Sequence, residues 1–520
     1  MRRRLLSGGG AVLMLFTGLR SRTKKPSPSG DQPPLQRSTA ETSQAHKPEA
    51  KALRIACSCQ SGKEPPLREH RYYARTVSVC SVCRRKIDAK IVEQDGKAWL
   101  DKYCPEHGRS LVLVSSSFTR YVGSGAVMIH GRIPGEFATQ VKNGCPEDCG
   151  YCPQHEQHAC SGLVEITDQC DMNCPICYAD PGGRGPISFE DYCSRLDTLE
   201  RVEGTIDVLQ LSGGEPALHP ELIPFLEEAR RRRPNRVLLN TNGRRIAAEP
   251  GFVQELAVFK DVLDVYLQYD GDSAAASERL RGYDARADQE TAVSQLVEAG
   301  IKVNLVATVT SENLADVPAL IQRAVATPGV TGLTFQTLSY CGRNRSADSS
   351  LRVTASDIVD SMTRLPWLTA SDVFPLPCSH PYCTQLCYLY CRPRRKPFPM
   401  IRLAKPREIV DSVKNRLSFN AATMEQLTPK IRCVTLENGL RFSNILPALD
   451  LRRFFRNANR AEWKGRKILR IVVKQFMDAE TFDAGRAARC CIGVVTGDGR
   501  IIPFCSYNTI HRERDHGAGA

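Results

Sequence analysis

The sequence contains no apolar run of the length that a bilayer-spanning helix needs. It also lacks a strong charge of one sign over most of its length. The formal net charge is +14, but residues 1–54 hold 11 Lys/Arg against 3 Asp/Glu and so contribute +8 of it. The remaining +6 is too small to predict a nucleic-acid partner. The 22 cysteines are too sparse for a disulfide scaffold, and 42% hydrophobic content predicts a globular protein of two or three domains.

Residues 1–55 differ from the rest in composition. Three arginines and a short apolar stretch loosely resemble a signal peptide, but three glycines interrupt the stretch and no A-x-A site follows it. The residues that come next are rich in Pro, Ser and Thr, which is typical of disorder. We expect a flexible basic extension, with a targeting segment as the alternative.

The cysteines occur in close groups, which in an enzyme-sized chain favours metal ligation in a reducing cytosol over disulfides. Cys80, Cys83 and Cys104 bracket an apparent hairpin. Thiolates on such knuckles suit a tetrahedral zinc or iron ion. The fourth ligand stays open between His107 and a cysteine from residues 145–160. The grouping also predicts a cytoplasmic protein.

Two further groups are large enough to hold iron–sulfur clusters. Four thiolates within sixteen residues can ligate a complete cluster, and the segment "CPEDCGYCPQHEQHAC" supplies Cys145, Cys149, Cys152 and Cys160. A second cluster is predicted toward the C-terminus from Cys378, Cys383, Cys505 and one of Cys490 and Cys491. Its last members flank a predicted hairpin with a "GDG" turn. Cys387 and Cys391 compete as ligands.

Between residues 161 and 345 the pattern alternates strand and helix, with six strands at roughly 30-residue spacing. This period predicts a parallel α/β fold, a partial (βα)6 TIM-like barrel, whose active site lies at the carboxyl ends of the strands. Residues 56–160 and 346–520 are loop-rich and contain the other cysteine groups. We expect them to form two metal-binding modules that flank the barrel.

The loop after the first strand, "CDMNCPICYAD", supplies only three thiolates, Cys170, Cys174 and Cys177. A [4Fe–4S] cluster usually takes four, so three leave one iron open to a small molecule. A zinc knot or an incidental group of thiols is the alternative.

The spacing C-x3-C-x2-C resembles the signature of the radical S-adenosylmethionine (SAM) enzymes, and "SGGEP" at the end of the second strand strengthens the likeness. The resemblance implies that the amino and carboxylate groups of SAM chelate the fourth iron. An electron from the cluster then splits a carbon–sulfur bond, and the 5′-deoxyadenosyl radical that results abstracts hydrogen from a C–H bond.

The resemblance also assigns SAM binding to polar residues at the strand ends. These are Gly213, Gly214, Glu215, Asn240, Asn242, Gln268, Asp270, Thr308 and Gln336. Glu215 would accept from the ammonium of SAM, and Gln268 and Asp270 would reach the ribose. Turn chemistry alone is the alternative for each polar residue. Members of the family often place an aromatic residue before the last cysteine, whereas this chain has Ile176 there and Tyr178 after it, which leaves the adenine contact open.

The flanking motifs, from "CSVCRRKI" to "CCIGVVTGDGRIIPFCSYN", resemble a branch that includes archaeal tetraether lipid synthases and dihydropterin methyltransferases. The branch implies two kinds of transferase. One joins lipid chain ends by carbon–carbon bonds, in lipid biosynthesis, and the other methylates a pterin-like heterocycle. A lipid enzyme predicts a long apolar tunnel, and a pterin enzyme predicts a compact polar pocket.

Partners follow from the same reading. A small-molecule or lipid substrate and a reductant such as ferredoxin or flavodoxin are expected. Arginines at 392, 394, 395, 452 and 453 suggest peripheral membrane contact, with a solvated basic face as the alternative. A different class of function, an iron–sulfur electron-transfer or zinc-stabilised scaffold protein, accounts for the cysteines but not for "GGEP" and the strand-end polar groups.

Overall fold

The computed structural model describes residues 69–179, 185–344, 348–376, 379–403 and 466–512, and the single residues 415, 417, 447, 450, 451 and 454. The predicted extension at residues 1–55 lies outside these ranges, as do Cys378, Arg452 and Arg453.

An antiparallel sheet of four strands begins the described chain. Its strands, in sheet order, are β1 (Arg71–Val79), β2 (Lys86–Gln94), β3 (Lys97–Cys104) and β4 (Gly108–Ser115). The turn between β2 and β3 is Asp95-Gly96, and both residues have positive φ, as a two-residue hairpin turn requires. Alternate side chains of β2 are buried, and α1 (Phe118–Gly125) packs on that face through Tyr121.

A larger sheet forms the body of the protein. Six parallel strands follow one another in chain order: β5 (Ser161–Thr167), β6 (Val208–Gly213), β7 (Arg236–Thr241), β8 (Leu263–Gln268), β9 (Lys302–Val309) and β10 (Val330–Thr337). The intervening helices are α2 (Phe189–Glu203), α3 (Leu222–Arg231), α4 (Arg244–Ala248), α5 (Pro250–Ala257), α6 (Ala274–Arg281), α7 (Arg286–Glu298) and α8 (Val317–Ala326), and α9 (Ala355–Met362) follows β10. This is the predicted α/β fold, which is confirmed.

Local signals set the boundaries of these elements. Ser188 caps α2 by accepting from the backbone N–H of Asp191 at 3.1 Å. Gly282 ends α6 with φ +85°, a left-handed conformation in which glycine has no Cβ to clash. Seven of the eight residues of β9 are buried, as expected for a parallel strand that is covered on both faces.

The C-terminal segment extends this sheet at both edges. β14 (Lys467–Lys474) lies parallel to β10, and β15 (Ile492–Val495) lies parallel to β5, so that eight strands run in parallel. Outside them run antiparallel strands: β11 (Phe374–Pro375), β12 (Thr384–Cys391), β13 (Phe398–Pro399) and β16 (Ile501–Pro503). The β15–β16 pair is the predicted "GDG" hairpin. The sheet therefore crosses the boundary proposed near residue 345, and the domain boundaries stay a prediction.

Short helices complete the described chain. They are α10 (Ala484–Ala488), α11 (Phe504–Ser506) and a π-helical turn at Tyr507–His511. None of the helices in the described ranges has the length and apolar character to span a bilayer.

Candidate active site and metal centres

A cavity of about 210 Å³ opens at the carboxyl ends of the parallel strands. All eight parallel strands contribute to its wall. The strand residues that line it are Leu163, Glu165, Gln210, Ser212, Gly213, Asn240, Thr241, Tyr266, Gln268, Val306, Thr308, Gln336, Lys474 and Ile492. Most of them are polar, although they belong to strands that are otherwise apolar. A polar lining at one end of an apolar barrel marks a ligand site.

The three cysteines of the loop after β5 all line this cavity. Cys170, Cys174 and Cys177 are each partly exposed. Burial raises the pKa of the Cys170 thiol to about 12. Three thiols that open into one cavity form the donor set of an iron–sulfur cluster, and a bound cluster would stabilise their thiolate forms. The residues present therefore fit the group that the sequence predicts.

The two glycines at the end of β6 allow very close approach between backbones. A Cβ on Gly213 would lie 2.0 Å from the carbonyl oxygen of Thr167, and Gly213 has φ +134°. A Cβ on Gly214 would lie 2.2 Å from the carbonyl oxygen of Gln169. The backbone N–H of Gly214 donates to Thr167 at 2.7 Å. The "GG" pair is therefore required to hold the end of β6 against the start of the cysteine loop.

Glu215 connects two strand ends from a buried position. Its Oε1 accepts from the N–H of Ala217 at 3.0 Å, and its Oε2 accepts from the N–H of Asn242 at 2.7 Å. The side chain is 2% exposed, and burial raises its pKa to about 7. Each carboxylate oxygen keeps a further lone pair. The structure thus gives Glu215 a positioning role, and the predicted contact with the ammonium of SAM stays a prediction.

The polar residues at the end of β7 contact neighbouring strand ends. Asn240 accepts from Gln210 at 2.9 Å and donates to Ser212 at 3.1 Å. Asn242 donates to Asp171 of the cysteine loop at 2.7 Å. Both asparagines line the cavity, so turn chemistry is not their whole role.

The residues predicted to bind ribose divide into two sets. Gln268 and Thr308 line the cavity, whereas Asp270 is 2% exposed and is not part of the lining. The carboxylate of Asp270 accepts from Nε and Nη2 of Arg281 at 2.6 and 2.8 Å. It also accepts from the side-chain amide of Gln268 at 2.7 Å. This geometry gives Asp270 the task of holding Arg281 and Gln268 and does not support its predicted contact with ribose.

Arg281 was not anticipated from the sequence. It is the last residue of α6, it lines the cavity, and it lies within reach of Cys174. The pairing with Asp270 raises the pKa of the guanidinium further, so the cation is permanent. An arginine at the end of a helix followed by glycine carries no local signal of such a role.

Gln336 lies on the cavity wall, as predicted, and donates to the hydroxyl of Tyr266 at 3.0 Å. The period-two alternation of β8 could have identified Tyr266, because it shares a strand face with Gln268.

Three aromatic rings form one wall of the cavity. Tyr178, Phe476 and Phe504, hereafter the aromatic group, pack edge to face or tilted with centroids 4.8–5.6 Å apart. Tyr178 thus enters the site from the position after the last cysteine. Ile176 also lines the cavity and packs against Leu338.

The first metal centre is compact. The ligand atoms of Cys80, Cys83, Cys104 and His107 all lie within 4.8 Å of one another. His107 Nδ1 is 3.5 Å from the Cys104 sulfur, and this contact lowers the pKa of Cys104 to about 6. His107 therefore occupies the position that the sequence left open, and the four donors suit a tetrahedral ion.

The second cysteine group divides in space. Cys145, Cys149 and Cys152 lie close together, and Cys149 also contacts His511 of the C-terminal π-helical turn. Cys160 is fully buried and instead packs with Cys491. A four-cysteine cluster from this segment alone is thus not the arrangement that the structure shows.

The third group is assembled from distant segments. Cys383, Cys490, Cys491 and Cys505 are mutual neighbours beside the cavity. Cys387 and Cys391, which the sequence offers as competing ligands, lie in the main apolar core instead.

Comparison with known proteins places these sites in a family. The model of the radical SAM superfamily matches residues 164–324, and that of the HMPTM N-terminal zinc ribbon domain matches residues 72–116. A 7,8-dihydro-6-hydroxymethylpterin dimethyltransferase of Methanocaldococcus jannaschii is 28% identical over 489 residues, which cover 84% of this chain and 94% of the relative.

Other matches are partial. A Fe-coproporphyrin III synthase of Methanosarcina barkeri is 28% identical over 34% of this chain and 44% of its own. Among solved structures, Streptococcus suis SuiB bound to its precursor peptide SuiA matches with a TM-score of 0.35 and 16% identity, over 41% of this chain and 46% of that one. The chain therefore spans less than half the length of these two proteins.

Residues 164–324 match the radical SAM superfamily, as the sequence predicts, and the protein is an enzyme. The matched domain implies SAM and a [4Fe–4S] cluster as cofactors and a reductant as partner, and the zinc ribbon indicates an additional metal. The scaffold and electron-carrier alternative is set aside.

Proposed function

We propose that this enzyme catalyses radical methyl transfer to a pterin-like heterocycle. The observation that carries the proposal is the set of amide and hydroxyl side chains that neighbouring strand ends place in the cavity wall. A flat heterocycle with several donors and acceptors matches such a wall, and a saturated lipid chain does not. The dimethyltransferase that matches over 94% of its length supports the same substrate class.

The chain's own residues have three tasks in this reaction. Cys170, Cys174 and Cys177 would hold the cluster, and Gly213 and Glu215 would place the methionine end of SAM against it. When bound, the cluster and SAM supply a primary carbon radical that abstracts hydrogen. Arg281, fixed by Asp270, keeps positive charge beside the cysteine loop. The aromatic group excludes water from the part of the cavity that it lines.

The other metal centres would serve folding and electron transfer. We propose that Cys80, Cys83, Cys104 and His107 bind zinc or iron, which would stabilise the four-stranded sheet. Auxiliary clusters are proposed at Cys145, Cys149 and Cys152, and at Cys383, Cys490, Cys491 and Cys505. The electron donor would be a ferredoxin or flavodoxin.

The lipid alternative has less support. It predicts a long apolar tunnel, whereas Gln210, Asn240, Gln268 and Gln336 place amides in the cavity wall. Amides left against hydrocarbon cost free energy, because their hydrogen bonds to water are not replaced. Membrane association likewise rests only on the basic clusters.

The test is anaerobic turnover. The reconstituted enzyme is given reductant, SAM and 7,8-dihydro-6-hydroxymethylpterin, and the products are separated by mass. For each methyl group that the pterin gains, the proposal expects one SAM and two electrons from the reductant to yield 5′-deoxyadenosine and methionine. A second SAM supplies the methyl group and leaves S-adenosylhomocysteine. A parallel reaction with a saturated isoprenoid lipid controls for the alternative. Coupled lipid and an unchanged pterin would overturn the proposal.

A further inference from the structure

Lys474 is the last residue of β14, and its side chain lines the cavity. The register of β14 beside β10 places it opposite Gln336, at the same end of the sheet as the predicted SAM-binding residues. No sequence motif indicates Lys474, because β14 begins more than a hundred residues after β10, the last strand of the predicted barrel.

The other charged side chains of the cavity wall have protein partners. Arg281 is paired with Asp270, and Arg512 donates two hydrogen bonds to the carboxylate of Glu165. Glu215 accepts from two backbone N–H groups. Lys474 has no hydrogen bond or ion pair with any residue that the structure describes. A lysine ammonium offers three donors and no acceptor, so a cation left without acceptors in a partly buried wall is costly.

The titratable groups that act most strongly on Lys474 belong to β14 and to the C-terminal cysteine group. These groups are Cys491, Arg470, Cys490 and Cys505. Arg281, in contrast, lies beside Cys174. The methionine end of SAM belongs to the cysteine loop in the proposed function, so the carboxylate of SAM is not the natural partner of Lys474.

The ammonium also lies next to a surface on which planar rings can stack. Its Nζ is 5.9 Å from the ring centroid of Phe476, which packs against Phe504 at 4.8 Å. Aromatic rings stack on flat heterocycles, and an ammonium at the rim then reaches acceptors in the plane of the ligand.

We propose that Lys474 binds the substrate heterocycle by donating to its ring carbonyl oxygen, while the rings stack against the aromatic group. The inference rests on the proposed function and assigns its substrate end. It makes Lys474 a specificity-determining residue, because a site with a buried donor rejects an analogue that has no matching acceptor.

The test measures binding to the cluster-loaded enzyme in the presence of SAM. The two ligands are 7,8-dihydro-6-hydroxymethylpterin and the analogue in which an amino group replaces the ring carbonyl. Wild type should prefer the carbonyl ligand by about 10- to 100-fold, the range expected for a charge-assisted hydrogen bond. Lys474→Met should lose that preference, and Lys474→Arg should keep part of it.

Lys467→Met is the matched control. Lys467 begins the same strand and is also partly buried, but it donates to the carbonyl oxygens of Ala324 and Thr327 away from the cavity. Its loss should lower stability and leave the ligand preference at the wild-type ratio. If Lys474→Met does not fold, the test depends on Lys474→Arg. Direct contact is contradicted if this variant binds both ligands with the wild-type affinity and the wild-type preference.

Three results overturn the proposal. Lys474→Met could retain the wild-type preference. It could change the iron content or the paramagnetic resonance signal of the enzyme with unchanged pterin affinity, which would make Lys474 the counterion of a neighbouring cluster. Wild type could bind neither ligand, and this result alone would defeat the proposed function together with the proposal for Lys474. The first two results would defeat only the proposal for Lys474.

Discussion

Two segments of this chain share the spacing C-x3-C-x2-C, yet they differ in everything around it. Cys170, Cys174 and Cys177 are partly exposed and line the cavity. Cys149 and Cys152 of the other segment are buried, and no cysteine of that segment lines the cavity. The spacing of the cysteines therefore identifies a set of thiolate ligands. The neighbouring strand ends determine whether a substrate can reach those ligands.

The neighbours explain the difference. The first segment follows β5, so its thiols meet the glycines of β6 and the polar end of β7. The second precedes β5, and Cys149 meets His511 from the C-terminal turn, which together with Cys145 lowers the pKa of the Cys149 thiol. A side chain that already faces the thiols leaves less room for an open iron.

The largest expected effect comes from removing each set of thiols. Replacement of Cys170, Cys174 and Cys177 by Ala should reduce 5′-deoxyadenosine release by more than about 10³-fold, because no cluster remains to deliver an electron to SAM. The same replacement of Cys145, Cys149 and Cys152 should leave release within about tenfold of wild type, on the same rate scale. Anaerobic product assays measure both. An equal loss of 5′-deoxyadenosine release in both variants would contradict the claim that only the first cysteine segment holds the cluster that splits SAM.

A smaller effect tests the positive charge of Arg281 beside the cysteine loop. Arg281→Met leaves Asp270 buried and unpaired, which should cost about 3–5 kcal/mol of unfolding free energy. Arg286→Met is the control, because its pair with Asp284 is exposed and should contribute little to stability. Urea unfolding of the cluster-loaded proteins measures the two. If the variants were equally stable, Asp270 would have another partner.

A close contact at Gly213 holds the end of β6 beside the loop of Cys170, Cys174 and Cys177. Gly213→Ala should cost about 2–4 kcal/mol and weaken SAM binding, because the backbone has φ +134° and the new methyl group meets Thr167. Gly251→Ala, inside α5 and with nothing within 4 Å, should instead stabilise by about 0.5–1 kcal/mol. Unfolding midpoints and SAM titration measure both changes. Normal SAM affinity in Gly213→Ala would show that the close contact at Gly213 does not position SAM.

The smallest effect is a pH dependence. Burial raises the pKa of Glu215 to about 7 from its ordinary value of 4.5, so the folded state binds the proton more tightly than the unfolded state does. Stability from this group is therefore present below pH about 4.5 and is lost as pH rises through about 7, by roughly 1–3 kcal/mol.

Glu215→Gln cannot ionise and should lack this loss. The difference in unfolding midpoint between wild type and Glu215→Gln, followed from pH 5 to pH 8 across the pKa of about 7, measures it. Every other titrating group cancels in the difference. A difference that stays flat would show that Glu215 is solvated or already paired with a cation.

The sequence could predict the local elements and not the distant contacts. The six strands β5–β10, the cysteine loop and the "GGEP" turn follow from periodicity and spacing within about 30 residues. Arg512 reaches Glu165 across 347 positions, and Lys474 belongs to a strand that pairs with both β10 and β12. No local pattern specifies such pairings, because they depend on how the C-terminal segment folds back on the sheet.

Two predicted site residues have neighbours that the sequence does not indicate, and the reason is the same for both. Asp270 looks like a ligand of ribose in the sequence because it ends a strand, but the partner that holds it, Arg281, comes from the following helix. Cys160 looks like a member of the nearest cysteine group, but Cys491 from the opposite end of the chain is its neighbour. Proximity in sequence misleads where burial brings distant segments together.

Electron–nuclear double resonance of the reduced enzyme with SAM labelled at its amino nitrogen gives the most direct view of the open iron. In a variant without Cys145, Cys149 and Cys152, we expect the label to couple strongly to the cluster at Cys170, Cys174 and Cys177. Absence of that coupling, or a protein nitrogen in its place, would contradict the central claim that SAM is a ligand of this cluster.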